Sequence, residues 1–568
     1  NLKEAENLSL FLLKKSPMLD LPWKIRGAIL KQKGKIREAL ECYKNSTLLM
    51  PNDPKNHFNL GNTFEELGLL EQAENSYKTA LNILPSFAEA HCNLGLLKQR
   101  LLKFEEAELS FKKSLEIKPD YFEAYINLGL LLKKQRKYRE AETVLRTSLN
   151  LQPSSLVAVK YLANILFNQR RFDEAVTEYN KYLKMTPNDY LVLCDLGTVL
   201  KCQKKFEKSK TVFEKAIKIR PDHFDAYLKL GNVFLSQEQL NSAENNYKKA
   251  IKLNPNCLNS LTNLAIVLNY KNQLAEENQI LEKILKKDKQ NYGLKAAVNI
   301  AIKKFLESDF HASKAHLLLA SDIQNKSTSE YKNEKIYQLY LTNLLKYYCE
   351  NRPTKIRSKA EKIIYTIGES HTLSSHELRF SKLEKHYICK SLLILGCKQW
   401  HLGNDEQNRY KFKFENIFRS IPKASLVLLS VGEIDCRIDE GLIKHSENSS
   451  KVNLEELIHN TVTNYINYVT NLNKEFNHKI IIQGVPCPNI EFKKFDVASI
   501  AKLAEVIKLF NRTLNELSKQ RKFNFLDLYS LTNDGEGFSN GLWHIDTHHV
   551  SPSGMLEAWD NFQLSIPI

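Results

Sequence analysis

Residues 88–121 read AEAHCNLGLLKQRLLKFEEAELSFKKSLEIKPDY, and the pattern returns every 34 residues. Pro119 has counterparts at Pro17, Pro51, Pro85, Pro153, Pro187, Pro221 and Pro255. Gly95 aligns with Gly27, Gly61, Gly129, Ala163, Gly197, Gly231 and Ala265. Ala107 aligns with Ala5, Ala39, Ala73, Ala141, Ala175, Ser209 and Ala243. This last register fails at Glu277, and the proline register fails at Lys289. Three registers in phase define a structural repeat. Each unit reads as a helical hairpin. Small residues let two antiparallel helices approach, and Tyr77, Phe111, Tyr179, Phe213 and Tyr247 fill the gaps between neighbours. The proline then ends the second helix. One hairpin cannot bury its own apolar face, so the hairpins are expected to stack.

This pattern resembles the tetratricopeptide repeat over residues 1–289, one leading helix plus about eight repeats. The resemblance implies an all-α superhelix with a protein or peptide in its concave groove. Two residues before the first small position stand Asn59, Asn93, Asn127 and Asn263, with other residues in the remaining repeats. An amide both donates and accepts, so a row of them suits an extended peptide backbone. The row resembles the asparagine ladder of O-linked N-acetylglucosamine transferases. Residues 290–360 keep helical periodicity but lose the phase. They read as capping helices, with Tyr337–Tyr348 in one of them and a turn at Asn325–Ser329.

The chain has 568 residues, 43% hydrophobic and 26% charged, with a net charge of +17. Its 27 Phe and 24 Tyr exclude disorder as the main state. No apolar run reaches the length of a membrane span. The chain starts at Asn1 without the pattern of a signal peptide. Ten scattered cysteines, none in a C-x-x-C pair, fit a reducing compartment, so a cytoplasmic location is expected. The excess charge is uneven. Residues 361–568 hold 24 basic and 25 acidic side chains, so the whole surplus lies before them. Lysines dispersed on helix surfaces read as a solvated face, which makes nucleic-acid binding the weakest reading.

From about Lys362 short apolar stretches alternate with amphipathic helices. Strands are expected at 363–367, 392–395, 426–431, 480–484 and 523–528, with helices at 454–473 and 498–519. That alternation predicts an α/β three-layer domain with a parallel sheet over 361–568, its ligands at the carboxyl ends of the strands. The unusual residues fall at those ends. They are Gly368-Glu369-Ser370-His371, Gly432-Glu433-Ile434-Asp435-Cys436-Arg437, and Trp543-His544-Ile545-Asp546-Thr547-His548-His549.

In order and spacing these blocks resemble the SGNH/GDSL hydrolases, whose domain is flavodoxin-like. The resemblance implies Ser370 as nucleophile, His549 as general base and Asp546 as the group that orients it. It also implies an oxyanion hole from the N–H groups of Ser370 and Gly396 with a third-block side chain, here Asp435. Asp435 departs from the family's Asn, and a carboxylate does not donate a hydrogen bond. Arg437 is expected to pair with Asp435 or Glu433, or to supply the missing positive charge itself. Glu369, His371, Gly403, Glu433, Arg437, Trp543 and His544 are candidate substrate contacts. No cofactor is expected. No metal is expected either, because His544 and His548 sit in a loop without the spacing of a helical ligand pair.

The expected function is serine esterase or acyltransferase chemistry on an ester-linked acyl group, on a small molecule, a glycan or a glycosylated protein. The helical array would recruit a protein partner. The alternative is a non-catalytic scaffold whose second domain binds a carbohydrate or a partner.

Overall fold

The computed structural model describes residues 2–325, 332–351, 361–382, 384–437, 441–448, 453–489, 496–546 and 549–563. The chain divides into two compact units, 1–221 and 222–568.

In the first unit, helices α1–α13 run from Leu2 to Ile219, and after α1 they pair as hairpins. The small-residue register explains the pairing. A Cβ on Gly95 would stand 2.8 Å from the Phe111 ring, and one on Gly61 would stand 2.7 Å from Tyr77. Gly129 and Gly197 face Leu145 and Phe213 in the same way. In each case the glycine seats a large side chain sixteen residues later. The prolines do not interrupt a helix. The helix before Pro119 ends at Ile117 and the one before Pro51 ends at Leu49, so proline follows the helix end.

The link inside each hairpin needs a left-handed residue. Gly34, Gly68, Leu102, Arg136, Arg170 and Lys204 take it, at φ from 58° to 75°. At Leu102 the turn closes by Leu102 N–H to Gln99 O and Lys103 N–H to Lys98 O. Only the first two hairpins use glycine there.

A second register pairs tyrosine with asparagine. The buried Tyr77 hydroxyl donates to Asn62 Oδ1 at 2.6 Å, and the next repeat's Asn93 amide donates to the same oxygen at 2.7 Å. Tyr179 has Asn164 at 2.8 Å. Where the large residue is Phe111, Leu145 or Phe213, position 62's equivalent is Leu96, Leu130 or Thr198.

The second unit opens with α14 (Phe224–Ser236), α15 (Leu240–Leu253), α16 (Leu258–Tyr270) and α17 (Leu274–Lys287), two hairpins of the same build. Gly231 faces Tyr247, whose hydroxyl donates to Asn232 as Asn263 does from the next hairpin. Then come α18 (Asn291–Leu306), α19 (Phe310–Asn325) and α20 (Lys332–Glu350). The pair α18/α19 is a further hairpin. Its left-handed residue is Ser308, and Ser313 Oγ donates to Ala301 O as Ser209 Oγ does to Gly197 O. The phase fails because this hairpin is lengthened. Ala301 follows Ala265 by 36 residues instead of 34. Beyond Asn325 the expected turn lies outside the described residues.

The sheet contains β1 (Glu361–Gly368), β2 (Arg379–Lys382), β3 (Lys385–Leu393), β4 (Leu426–Ser430), β5 (Lys479–Gln483) and β6 (Asn524–Leu526) in the order β2-β3-β1-β4-β5-β6. The expected all-parallel sheet is corrected to a mixed one. β2 runs antiparallel to β3, and the other pairs are parallel. β2 is a four-residue edge strand with one apolar residue, Phe380, too short to stand out as an apolar run. The strand expected at 392–395 is therefore longer and earlier, ending at Leu393. Around the sheet lie α21 (Gln399–Gly403), α22 (Arg409–Ser420), α23 (Glu433–Cys436), α24 (Leu442–Asn448), α25 (Leu454–Asn473), α26 (Val497–Gln520), α27 (Leu528–Thr532) and α28 (Pro552–Asn561).

Strand alternation makes two cores. Val427 and Leu429 of β4 face α22, α25 and α26, while Leu426 and Leu428 face α28 and Trp559. α22 also meets the hairpins. The Arg409 N–H donates to Glu238 Oε2 at 3.0 Å, and the buried Lys413 Nζ donates to Asn269 Oδ1 at 2.6 Å. Among the described residues no helix is long and apolar enough to cross a membrane.

Two substitutions test the hairpin account by thermal unfolding. Leu102→Gly, at an exposed left-handed position, should stabilise by about 1 kcal/mol, because L-residues carry that strain and glycine does not. Gly95→Ala should destabilise by about 1–3 kcal/mol by forcing the Phe111 ring out of place.

Candidate active site

β1 ends at a forced glycine. A Cβ on Gly368 would stand 1.9 Å from the Ser430 carbonyl oxygen of β4. The chain then enters a short 3₁₀ turn, Ser370–Ser375, whose first residue, Ser370, is buried.

The partner comes from the other end of the domain. The Ile545 N–H donates to His549 O at 2.8 Å and the Ser551 N–H to Trp543 O at 2.6 Å, closing a tight loop. On it, Asp546 Oδ1 accepts the His549 N–H at 2.7 Å, and the carboxylate meets His549 Nδ1 at 2.8 and 2.9 Å. His549 Nε2 lies 2.9 Å from Ser370 Oγ. A carboxylate on Nδ1 holds the proton there and leaves Nε2 as an acceptor toward the serine. Ser370 precedes Asp546 by 176 positions in the sequence, yet the three residues form one unbroken hydrogen-bonded chain.

α20 supplies a wall that the sequence reading assigned only to capping. The Tyr340 ring stacks on His549 with centroids 3.8 Å apart and planes 11° apart. Its hydroxyl donates to Ser374 Oγ at 2.6 Å, and Ser374 passes its own hydrogen to Val550 O at 2.5 Å. The Ser370 carbonyl oxygen lies 3.3 Å from the same phenol oxygen. One turn earlier, burial and then the Glu369 carboxylate push the Tyr337 phenol up to about 12. The missed residues are thus Tyr340 and Ser374. The available signal was tyrosine on a cap, because a buried hydroxyl requires a partner.

The third block is arranged for charge balance. Arg437 grips Glu433 with Nε at 2.9 and 3.0 Å and a terminal nitrogen at 2.8 Å, so of its two possible partners it takes Glu433. Asp435, 1% exposed, accepts the Gln399 N–H at 2.7 Å and the Trp400 N–H at 3.4 Å. It therefore caps the start of α21. Burial pushes its carboxyl up to about 7 against the pull of those two N–H groups. Glu369 Oε1 accepts the Glu433 N–H at 3.1 Å, and burial, then the Glu433 charge, hold its carboxyl well above the usual range.

The remaining candidates divide. His371 is buried with its ring 4.8 Å from that of His549. Gly396 is left-handed at φ 71° and lies between β3 and α21. Gly403 has a packing role, since a Cβ there would stand 2.9 Å from Asn464 and Tyr465 of α25. Trp543 packs on Gly554 and the α28 core, and His544 Nδ1 meets Ser539 Oγ at 2.8 Å. His548 lies outside the described residues. Glu369, His371 and Glu433 each bring one possible ligand atom within 4.8 Å of the others. A metal ion there would compete with the Arg437 guanidinium for Glu433.

In the helical part, the Asn93 and Asn263 amides donate to Asn62 and Asn232, and the Asn127 amide donates to Cys92 Sγ at 3.5 Å. Asn59 is half-buried on α4 (Pro54–Glu66).

Family models described as Tetratricopeptide repeat match residues 88–121, 126–190, 191–223 and 224–257, and one described as TPR repeat matches 27–68 and 66–101. The hairpins are tetratricopeptide repeats. Among solved structures, YrrB, described as a TPR protein with an unusual peptide-binding site, is 19% identical. That match covers 33% of this chain and 96% of YrrB at a TM-score of 0.30. A tetratricopeptide repeat protein from Parabacteroides merdae is 22% identical over 44% of this chain and 98% of its own, at a TM-score of 0.36. Pseudomonas aeruginosa pilF is 20% identical over 36% and 94%, at 0.33. Among curated proteins none matches the chain.

Asp435 gives a pH signature. An unfolded Asp releases its proton near pH 4, whereas the folded one keeps it to about 7. Between those values the folded chain binds more protons, so stability falls as pH rises. Asp435→Asn lacks this term. The variant's unfolding temperature should therefore gain on that of wild type between about pH 5 and pH 8, measured by thermal melts across that range.

Proposed function

We propose that the chain is a cytoplasmic serine esterase or acyltransferase of the SGNH/GDSL type, with its tetratricopeptide repeats recruiting a protein or peptide partner. The observation that carries this reading is the Asp546–His549–Ser370 chain, with 2.8 Å and 2.9 Å between its consecutive members. Further support comes from the strand order. With β2 set aside, the five parallel strands follow the flavodoxin-like 2-1-3-4-5 arrangement, with Ser370 at the carboxyl end of β1.

Ser370 Oγ attacks the ester carbonyl carbon while its proton passes to His549 Nε2. The carbonyl π pair moves onto oxygen. The tetrahedral intermediate then collapses, and the C–O bond to the alcohol breaks. The alcohol leaves with the proton from His549. Water or a second hydroxyl repeats these steps in reverse on the acyl-serine, giving hydrolysis or transfer. Asp546 keeps the imidazole oriented and stabilises its charged form. The N–H groups of Ser370 and Gly396 are the proposed backbone donors to the oxyanion. An acylated glycan or glycosylated protein is the proposed substrate class, and no cofactor enters the cycle. Glu369, His371, Glu433 and Arg437 line the approach to Ser370.

Repeats of this type form extended binding surfaces, and Asn59, Asn93, Asn127 and Asn263 are the proposed peptide contacts. Each amide engaged between repeats retains a second hydrogen for a peptide carbonyl. The positive charge of the helical part suits an acidic segment.

One observation favours a second reading, a scaffold without catalysis. The third-block position holds Asp435, whose oxygens face backbone N–H groups instead of offering a donor to an oxyanion.

The readings part on turnover. Under the enzyme reading, wild type hydrolyses p-nitrophenyl acetate, and Ser370→Ala lowers the rate by at least about 1000-fold. Equal rates for the two chains, or none above buffer for either, would support the scaffold.

A further inference from the structure

The edges of the His549 imidazole are committed. Nδ1 meets the Asp546 carboxylate at 2.8 and 2.9 Å, and Nε2 lies 2.9 Å from Ser370 Oγ. These contacts fix two points of the ring. They leave rotation about the line through the two nitrogens, and that rotation swings the Nε2 lone pair off the serine. A general base must keep its lone pair aimed at the proton it takes. The freedom is removed from one face. The Tyr340 ring lies on the imidazole with centroids 3.8 Å apart and planes 11° apart. The His371 ring, 4.8 Å away, is inclined at 41° and does not lie flat on it.

We infer that Tyr340 of α20 is a positioning residue for His549. Its ring holds the imidazole in the plane that aims Nε2 at Ser370, and its π-face steadies the imidazolium that forms there. The inference rests on the serine acyl-transfer reading above and deepens it with a residue from outside the α/β domain. As the Ser370 Oγ–carbon bond forms, the serine proton passes to Nε2 and the carbonyl π pair moves onto oxygen. His549 then carries a positive charge, with the Asp546 carboxylate at its edge and the electron-rich face of Tyr340 against its own. When the C–O bond to the alcohol breaks, that proton leaves with the alcohol. Tyr340 gives up no proton in the cycle.

The Tyr340 ring is itself fixed, which is what positioning requires. It is fully buried. Its hydroxyl donates to Ser374 Oγ at 2.6 Å, and Ser374 donates to Val550 O at 2.5 Å. One end of the ring is thus tied both to the turn that begins with the nucleophile and to the residue after the base. The other tie is α20, whose Leu341, Leu344 and Tyr348 pack in one core with Phe305 of α18 and Leu317 of α19. The plane of the imidazole is therefore set in part by helices that precede the sheet in the chain.

The test is the acylation rate of the full chain with p-nitrophenyl acetate, read as the pre-steady-state release of nitrophenol, for three replacements of Tyr340. Tyr340→Phe keeps the ring and should acylate within about threefold of wild type. Tyr340→Leu removes the flat face and should acylate about 30-fold more slowly, with KM within about twofold of wild type. Tyr340→pentafluorophenylalanine keeps the ring's shape and reverses its charge distribution, so it should acylate about tenfold more slowly than Tyr340→Phe. The two ring variants decide the question should Tyr340→Leu fail to fold. A Tyr340→Leu chain within about threefold of a reactive wild type overturns this assignment and leaves the serine reading standing. So does a pentafluorophenylalanine chain as fast as Tyr340→Phe, or a Tyr340→Phe chain as slow as Tyr340→Leu. A wild type whose release is unaffected by Ser370→Ala overturns the serine reading, and this assignment with it.

Discussion

A buried hydroxyl or carboxyl group must find a hydrogen-bond partner or lose the free energy it had in water. Both compact units are organised around that requirement. In the repeats, the tyrosines Tyr77, Tyr179 and Tyr247 that fill the space over a small residue each donate to an asparagine, and where Leu96, Leu130 or Thr198 stands in its place the filling side chain is Phe111, Leu145 or Phe213. Asn62 accepts from Tyr77 and from the next hairpin's Asn93, so one oxygen joins two repeats. In the α/β domain the same need runs through Tyr340 to Ser374 to the Val550 carbonyl, and through Ser370 to His549 to Asp546. The two chains meet where the Tyr340 ring covers the imidazole.

That meeting gives the helix after the last hairpin a meaning beyond covering an apolar end. α20 packs on α18 and α19 with one part of its surface and closes over the 3₁₀ turn with another. The hairpins α14–α17 reach the same domain where Glu238 and Asn269 accept from Arg409 and Lys413 of α22. One wall of the Asp546–His549–Ser370 chain therefore comes from the helix that follows the last hairpin. The third block supports that site by balance. Arg437 neutralises Glu433, and Asp435 anchors α21, which follows the Gly396 turn.

Much of this was legible in the sequence because it is periodic or local. The 34-residue registers locate every hairpin to Lys287, and the amphipathic stretch at 454–473 is the helix observed there. The first two chemical blocks follow the ends of β1 and β4, while the third lies in the loop between α27 and α28. What was not legible arises from contacts without a local signature. β2 is an edge strand of four residues, too short for its alternation to be distinguished from a loop. The α18/α19 hairpin is hidden by two added residues, which are enough to break phase while the fold absorbs them. Tyr340 reads as part of a cap, since nothing in its own segment says that a serine some thirty positions later lies against it. Asp435 read as a defective oxyanion donor. Its actual partners, the N–H groups of Gln399 and Trp400, are set by a turn more than thirty residues earlier.

The central claim is that Ser370 is a nucleophile activated by His549. The most direct measurement is the mass of the intact chain after treatment with a fluorophosphonate, followed by peptide mapping of the adduct. The account predicts one phosphonyl group per chain, on the peptide that contains Ser370, lost when His549 is replaced by alanine. An unmodified chain, or an adduct carried elsewhere with Ser370 untouched, would contradict it.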